Sequence, residues 1–357
     1  MESLYDAMSS FEDNFKKGPN PNFGSDVLSI PFGIPAGPLL NSEYCKWGFE
    51  NGYDVCVYKT VRSSAHSCNS FPNVLSAHPA NPQHLSLEEA DQGVLADSNF
   101  PINLQEINIS NSFGVPSQEP EFWIEDVKKA LGYAKNNQTL ILSFQGTGGC
   151  AVGEKLNSEE ILLRDIKKTA NLAAETGVKI FELNTSCPNE GKDSLLCFDL
   201  ELVSKVVQVA KTELTSKIPD AKLFIKTAYF EDSNYLNDFV QATHNFVDGY
   251  STINTISTKL VDKNGNNALD ENRPTSGVCG AGIKWAGISQ IQRLNVIREK
   301  QNLNFKLIGV GGVMSAKDFK EYREAGADIV MSATGAMFIP GLANQVRNFI
   351  QQESEFE

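Results

Sequence analysis

The segment VKIFELNTSCPNEGK, residues 178–192, begins as a short apolar run and breaks into a polar loop in which Cys187 stands between Asn184 and Asn189. Its first half reads as a buried strand, continuous and too short for a helix. Gly177, just before it, suits the left-handed conformation that closes a helix. The stretch SEEILLRDIKKTANLAAET (158–176) upstream spaces its apolar residues near 3.6, as an amphipathic helix does. Helix, glycine, buried strand and polar loop together make one β–α unit of a parallel sheet.

The same unit recurs in both directions. Apolar runs stand at 30–36 (IPFGIPA), 54–60 (DVCVYKT), 139–144 (TLILSF), 222–227 (KLFIKT), 247–254 (VDGYSTIN), 306–311 (KLIGVG) and 328–333 (DIVMSA). EFWIEDVKKALGYAKN (121–136) is a second clear helix, and Gly52 and Gly326 close others. About eight units without a midpoint linker are the count of a TIM (β/α)8 barrel, with a doubly wound sheet as runner-up. The expectation is a single domain over 1–357. Residues 61–120, rich in Pro, Asn and Ser, break the alternation and exceed an ordinary βα loop. They follow strand 2, so they are expected to rise over the C-terminal mouth and shape a pocket there.

Composition is that of a globular chain: 357 residues, 41% hydrophobic and 21% charged. Asp+Glu 44 against Lys+Arg 31 gives a net charge of -13. Such a chain is poorly suited to nucleic acid or to anionic membrane surfaces, though a local basic pocket for a phosphate is compatible with it. No apolar run reaches the length of a membrane span. The start, MESLYDAMSSFEDNFKK, has neither the basic head nor the apolar centre of a signal peptide. Seven cysteines (45, 56, 68, 150, 187, 197, 279) include no C-x-x-C pair, so no metal site is expected. Reduced thiols in a cytoplasmic protein are the expectation.

Barrel chemistry sits at the C-terminal ends of strands. The second run ends in Lys59, the fourth in Asn184, the fifth in Lys226 and the sixth in Asn254. Singly, each has a plain explanation as a solvated lysine or a helix-capping asparagine. Jointly they place two lysines and two asparagines at one mouth. The last two strands lead into Gly311-Gly312 and Ala333-Thr334-Gly335, the position of a barrel phosphate site. Gly309-Val310-Gly311-Gly312 is not a dinucleotide fingerprint, because Met314 occupies the place of its last glycine. Cys187 reads either as an inert buried thiol or as a tuned general base in a loop with a glycine hinge. All four histidines (66, 78, 84, 244) lie away from the predicted strand ends, which argues against a Cys–His dyad.

Asn184-Thr185-Ser186-Cys187-Pro188-Asn189 after a strand resembles the active-site loop of class 1 dihydroorotate dehydrogenases, which are FMN-containing TIM barrels. Asn111-Ser112-Phe113-Gly114-Val115-Pro116 is similar to that family's N-S-x-G-x-P segment, and the resemblance in element order runs from about residue 30 to 345. It implies dihydroorotate as substrate, orotate as product and FMN as cofactor. Cys187 would be the base. Lys59 would stand near both flavin and substrate. Asn111, Asn184, Asn189 and Asn254 would ring the pyrimidine with amides, aided by Thr255 and by Phe113, Gly114 and Val115. Ala36, Gly37, Thr60, Asn184, Ile253 and Gly280 would line the flavin, and Lys226 would offset charge at its N1 end. Gly311, Gly312, Ala333 and Thr334 would hold its phosphate.

The chain departs from the pattern in places. The stretch 61–110 is long, Cys279-Gly280 replaces a Gly-Gly pair, Met331-Ser332-Ala333-Thr334-Gly335 replaces the usual ending, and Asn73 stands where an arginine is expected. The nearest rival is a dihydropyrimidine (dihydrouracil-type) dehydrogenase, which commonly has His in place of Asn189. A non-catalytic barrel binding a phosphorylated ligand is the alternative of another class. The resemblance leaves open whether electrons pass to fumarate in a homodimer or to NAD through a partner subunit; the homodimer is the expectation.

Overall fold

A computed structural model describes residues 30–135, 137–147, 158–186 and 195–354. Eight parallel strands close a barrel: β1 (Phe32–Ile34), β2 (Val55–Val61), β6 (Thr139–Phe144), β7 (Ile180–Asn184), β8 (Lys222–Thr227), β9 (Gly249–Thr252), β12 (Lys306–Val310) and β13 (Ile329–Met331). The neighbour order is β1-β13-β12-β9-β8-β7-β6-β2. The helices expected at 121–136 and 158–176 run over Pro120–Tyr133 and Ser158–Ala174. Gly52, Gly177 and Gly326 all have positive φ.

Alternation along the strands explains the interior. Val55, Val57, Ile141, Phe224, Ile308, Val310 and Met331 form a packed plug inside the barrel. Two residues beyond Phe224 on the same face comes Lys226, and two before Asn184 comes Glu182. The lower barrel is therefore apolar and its C-terminal mouth is polar. On β2 the register shifts between Tyr58 and Val61. A bulge of this kind re-aims side chains, and it falls at Lys59 and Thr60.

A second, smaller closed sheet covers the mouth. It contains β3 (Ser76–His78), β4 (Val94–Asp97), β5 (Asn108–Asn111), β10 (Ile256–Val261) and β11 (Thr275–Gly280), in the order β10-β11-β5-β3-β4. Residues 61–120 supply three of its strands. The other two come from residues 256–280, which the sequence reading passed over as part of the ordinary alternation. The β10–β11 pair is antiparallel. Among the described residues no helix is long and apolar enough to cross a membrane.

Candidate active site

The mouth holds a cavity of about 620 Å³, within the range of small-molecule sites. Lys59, Asn111, Asn184, Lys226, Asn254 and Thr255 all line it. So do Ala36, Gly37 and Thr60 from the first two barrel strands, Phe113 and Val115 from the insertion, and Ala333 and Thr334 after β13. A narrow extension is lined by Gly280, Gly311 and Gly312, again with Asn254, Ala333 and Thr334. Two expected residues do not line either space. Gly114 stands between Phe113 and Val115, which do line the cavity. Ile253 is fully buried in the core of the small sheet. Cys187 and Asn189 lie outside the described residues.

What is described of the cysteine loop is its stem. Thr185 Oγ1 donates to the Lys226 carbonyl at 2.8 Å. Asn254 Nδ2 donates to the Ser186 carbonyl at 2.8 Å. Both stem residues are buried. The chain is thereby fixed to the cavity wall up to the residue before Cys187. Asn254 spends a donor on this contact, which leaves its carbonyl oxygen for a ligand N–H.

The two lysines differ in surroundings. Lys226 is 5% exposed. Its Nζ lies 3.3 Å from Ser251 Oγ and 4.0 Å from Glu182 Oε2. Burial lowers its pKa and the Glu182 carboxylate raises it in opposition. Lys59 donates to the carbonyls of Thr60 and Pro116. Burial, then the nearby Arg62 cation, pull its pKa down to about 8. Thr255 Oγ1 is buried and has no hydrogen-bond partner among the described residues.

Sequence reasoning missed several neighbours. Arg62, one residue past β2, is 3% exposed. Its Nε donates to Val115 O at 2.9 Å and its Nη2 to Gly114 O at 3.3 Å. The Gln145 amide, with its oxygen toward the guanidinium, accepts from Nη2 at 2.8 Å. On its other side it lies 2.8 Å from Asn184 Nδ2. Arg273 comes from the β10–β11 connection, and its Nη1 lies 3.1 Å from both Asn73 Oδ1 and Ser112 Oγ. The arginine expected near position 73 is thus supplied in space from 200 residues away. His66 and Cys68 line the cavity, although His66 stands five residues beyond the end of β2. Its loop returns to the mouth by pairing with Ser117. Cys279 also lines it, and burial pushes that thiol up to about 11.

The barrel mouth of this acidic chain thus brings two lysines and three asparagines to one cavity, beside a glycine-lined space. The family model for dihydroorotate dehydrogenase matches residues 102–352. A dihydroorotate dehydrogenase of Dictyostelium discoideum is 33% identical, over 97% of this chain and 96% of that protein. The catalytic subunit of dihydroorotate dehydrogenase B (NAD(+)) from Endomicrobium trichonymphae is 28% identical, over 65% of this chain and 67% of its own length. The dihydroorotate dehydrogenase (fumarate) of Lachancea kluyveri is 26% identical, over 63% and 66%. A crystal structure of the Eimeria tenella dihydroorotate dehydrogenase with ferulenol shares the fold, with TM-score 0.67 at 15% identity, covering 99% of this chain and 96% of that one. The chain belongs to the dihydroorotate dehydrogenase family.

Proposed function

We propose that this chain oxidises dihydroorotate to orotate, a step of pyrimidine synthesis, in the cavity at the barrel mouth, with FMN as its cofactor and by the class 1 route. The observation that carries the reading is the lining of one cavity by Lys59, Lys226, Asn111, Asn184 and Asn254. Amides match the alternating donors and acceptors of a pyrimidine ring, and a lysine matches its carboxylate.

The residues present suit FMN. Gly280, Gly311 and Gly312 have φ of 120, 124 and 67, and they line the narrow extension with Ala333 and Thr334. A Cβ on Gly280 would stand 2.2 Å from Ile107 O, so only glycine lets this wall of the extension pack so closely on its neighbouring backbone. Among the described residues the buried cation Lys226 has one hydrogen-bond partner, a hydroxyl at 3.3 Å. When bound, FMN supplies the acceptor for a hydride from the substrate. Ala36, Gly37, Thr60, Asn184 and Lys226 would hold its ring system.

The chain's own part is binding, orientation and proton removal. Lys59 would hold the substrate carboxylate, helped by the Phe113–Val115 backbone. Asn111, Asn184, Asn189, Asn254 and Thr255 would fix the ring. Cys187 would take the proton from C5, which is acidified by the neighbouring carbonyl. A cysteine at this position, rather than serine, supports class 1. Relatives named for NAD(+) and for fumarate both match, and a homodimer passing electrons to fumarate is the reading carried from the sequence. Sedimentation of the purified protein and assay with each acceptor test it.

The decisive experiment is anaerobic mixing of purified yellow protein with dihydroorotate or with dihydrouracil. Bleaching of the flavin by dihydroorotate alone is expected. Bleaching by dihydrouracil alone would move the reading to the dihydropyrimidine-type enzyme, and protein isolated without flavin would overturn it.

A further inference from the structure

We propose that Arg62 is a positioning residue that gives the cavity its preference for a carboxylate-bearing pyrimidine over an uncharged one, by fixing the Phe113–Pro116 backbone with its N–H groups turned toward the ligand. The inference rests on the reading of the cavity as the dihydroorotate site.

Every carbonyl along this stretch accepts a hydrogen bond. Phe113 O accepts from Asn69 N at 3.0 Å. Gly114 O and Val115 O accept from Arg62, and Pro116 O accepts from Lys59 Nζ. Across a trans peptide the carbonyl of one residue and the N–H of the next point in opposite directions. Carbonyls turned back toward Asn69 and Arg62 therefore turn the N–H groups of Gly114 and Val115 the other way. Phe113 and Val115 line the cavity, and the N–H groups of Phe113, Gly114 and Val115 have no acceptor among the described residues. Successive N–H groups turned to one side form a receptor for an anion.

The backbone does not hold this shape unaided. Gly114 has φ 74 and Val115 has φ 51. A β-branched residue in the left-handed region is an outlier that persists only where its surroundings impose it. Arg62 imposes it with two charge-assisted bonds from one rigid fork. The arginine is itself well anchored: its N donates to Ser117 Oγ at 3.1 Å and its carbonyl accepts from Trp123 Nε1 at 3.2 Å. Its guanidinium also reaches Thr147 Oγ1 at 3.2 Å. Arg62 does not line the cavity, so it acts on the ligand through the loop.

The test titrates FMN-loaded full-length protein with orotate and with uracil, which lacks the carboxylate. In Arg62→Lys the charge stays and the fork is lost. Orotate affinity should fall about tenfold or more while uracil affinity changes less than about twofold, as expected for losing oriented bonds to one charged group. Flavin content should be unchanged. Arg62→Ala should lose more, with partial rescue by added guanidinium. Hydrogen exchange on the wild type needs no variant: orotate should protect the amides of residues 114 and 115, and uracil should not. Equal loss of both ligands, unchanged orotate affinity in Arg62→Lys, or equal protection by both ligands would each overturn the inference. Should wild-type protein fail to bind orotate at all, the functional reading itself is what falls.

Discussion

Lys226 Nζ lies 4.0 Å from Glu182 Oε2 beneath the cavity, and neither Glu182 oxygen accepts a hydrogen bond among the described residues. The two stand on adjacent parallel strands, where β7 and β8 put Asn184 beside Lys226 and Glu182 beside Phe224. Among the described residues this cation is the one charge that offsets the desolvation of a carboxylate that is 1% exposed. At this distance the attraction is about 4 kcal/mol in a medium of intermediate dielectric, before desolvation is subtracted. Its effect on Lys226 is to oppose the downward pull of burial, which still leaves the ammonium's pKa below its ordinary value. Glu182→Gln should therefore shift the basic limb of the dihydroorotate half-reaction to lower pH, measured by stopped flow at saturating substrate. An unmoved limb would show that Glu182 does not govern the lysine.

Lys59 gives a separate pH dependence. Its folded pKa, about 8, lies below lysine's usual 10.5. Between those values the folded state binds fewer protons than the unfolded one, so stability rises with pH across that window and the gain is lost as pH falls through about 8. Ligand binding runs the other way. An anionic carboxylate is best held while Lys59 is charged. Orotate affinity should weaken above about pH 8, approaching about tenfold per pH unit. A flat profile between pH 7 and pH 10, taken by titration, would remove Lys59 from the carboxylate site.

How far the sequence could lead is visible in these two lysines. Lys59 and Lys226 each end a short apolar run, and their place at the C-terminal ends of strands put them at the mouth with Asn184 and Asn254. Gly311, Gly312, Ala333 and Thr334 were legible for the same reason, as turns after the last two strands. Arg62 was not legible, because its neighbours in sequence are ordinary and its partners Val115 and Gly114 lie more than 50 residues away. Arg273 was hidden more deeply: it belongs to a second sheet closed between two separate insertions, and no local period announces a pairing such as β11 with β5. Ile253 is the opposite case: it sits beside Asn254 in sequence, yet it packs in the small-sheet core while its neighbour lines the cavity.

The proposed base, Cys187, admits a direct test. Ser186, whose carbonyl is bound by Asn254, delivers the chain to the cavity wall one residue before Cys187. A serine hydroxyl there is a far weaker base than a thiolate at neutral pH. Cys187→Ser should keep its flavin and its orotate affinity but lose turnover by about 10²–10⁴-fold. Steady-state rates equal to wild type would assign proton removal to another group.

Gly312 tests the cofactor site without reference to turnover. It has φ 67, a region that favours glycine over residues with a Cβ. A Cβ added there would stand 2.7 Å from both the backbone N and the Cβ of Lys284. Lys284 begins the helix Lys284–Lys300 and is tied by its ammonium to Asp318 at 2.6 Å and Glu321 at 2.9 Å. The helix start is thus pinned and has little freedom to retreat. In Gly312→Ala the turn after β12 must therefore move, and with it the wall of the narrow extension. The variant should fold, because the disturbance falls at the barrel rim and not in its plug, yet it should be purified with little flavin and bind added FMN about tenfold or more weakly, the scale of one or two lost phosphate hydrogen bonds. Titration of apoprotein with FMN, followed by quenching of flavin fluorescence, reads the change. Wild-type affinity in that variant would place the phosphate elsewhere in the cavity.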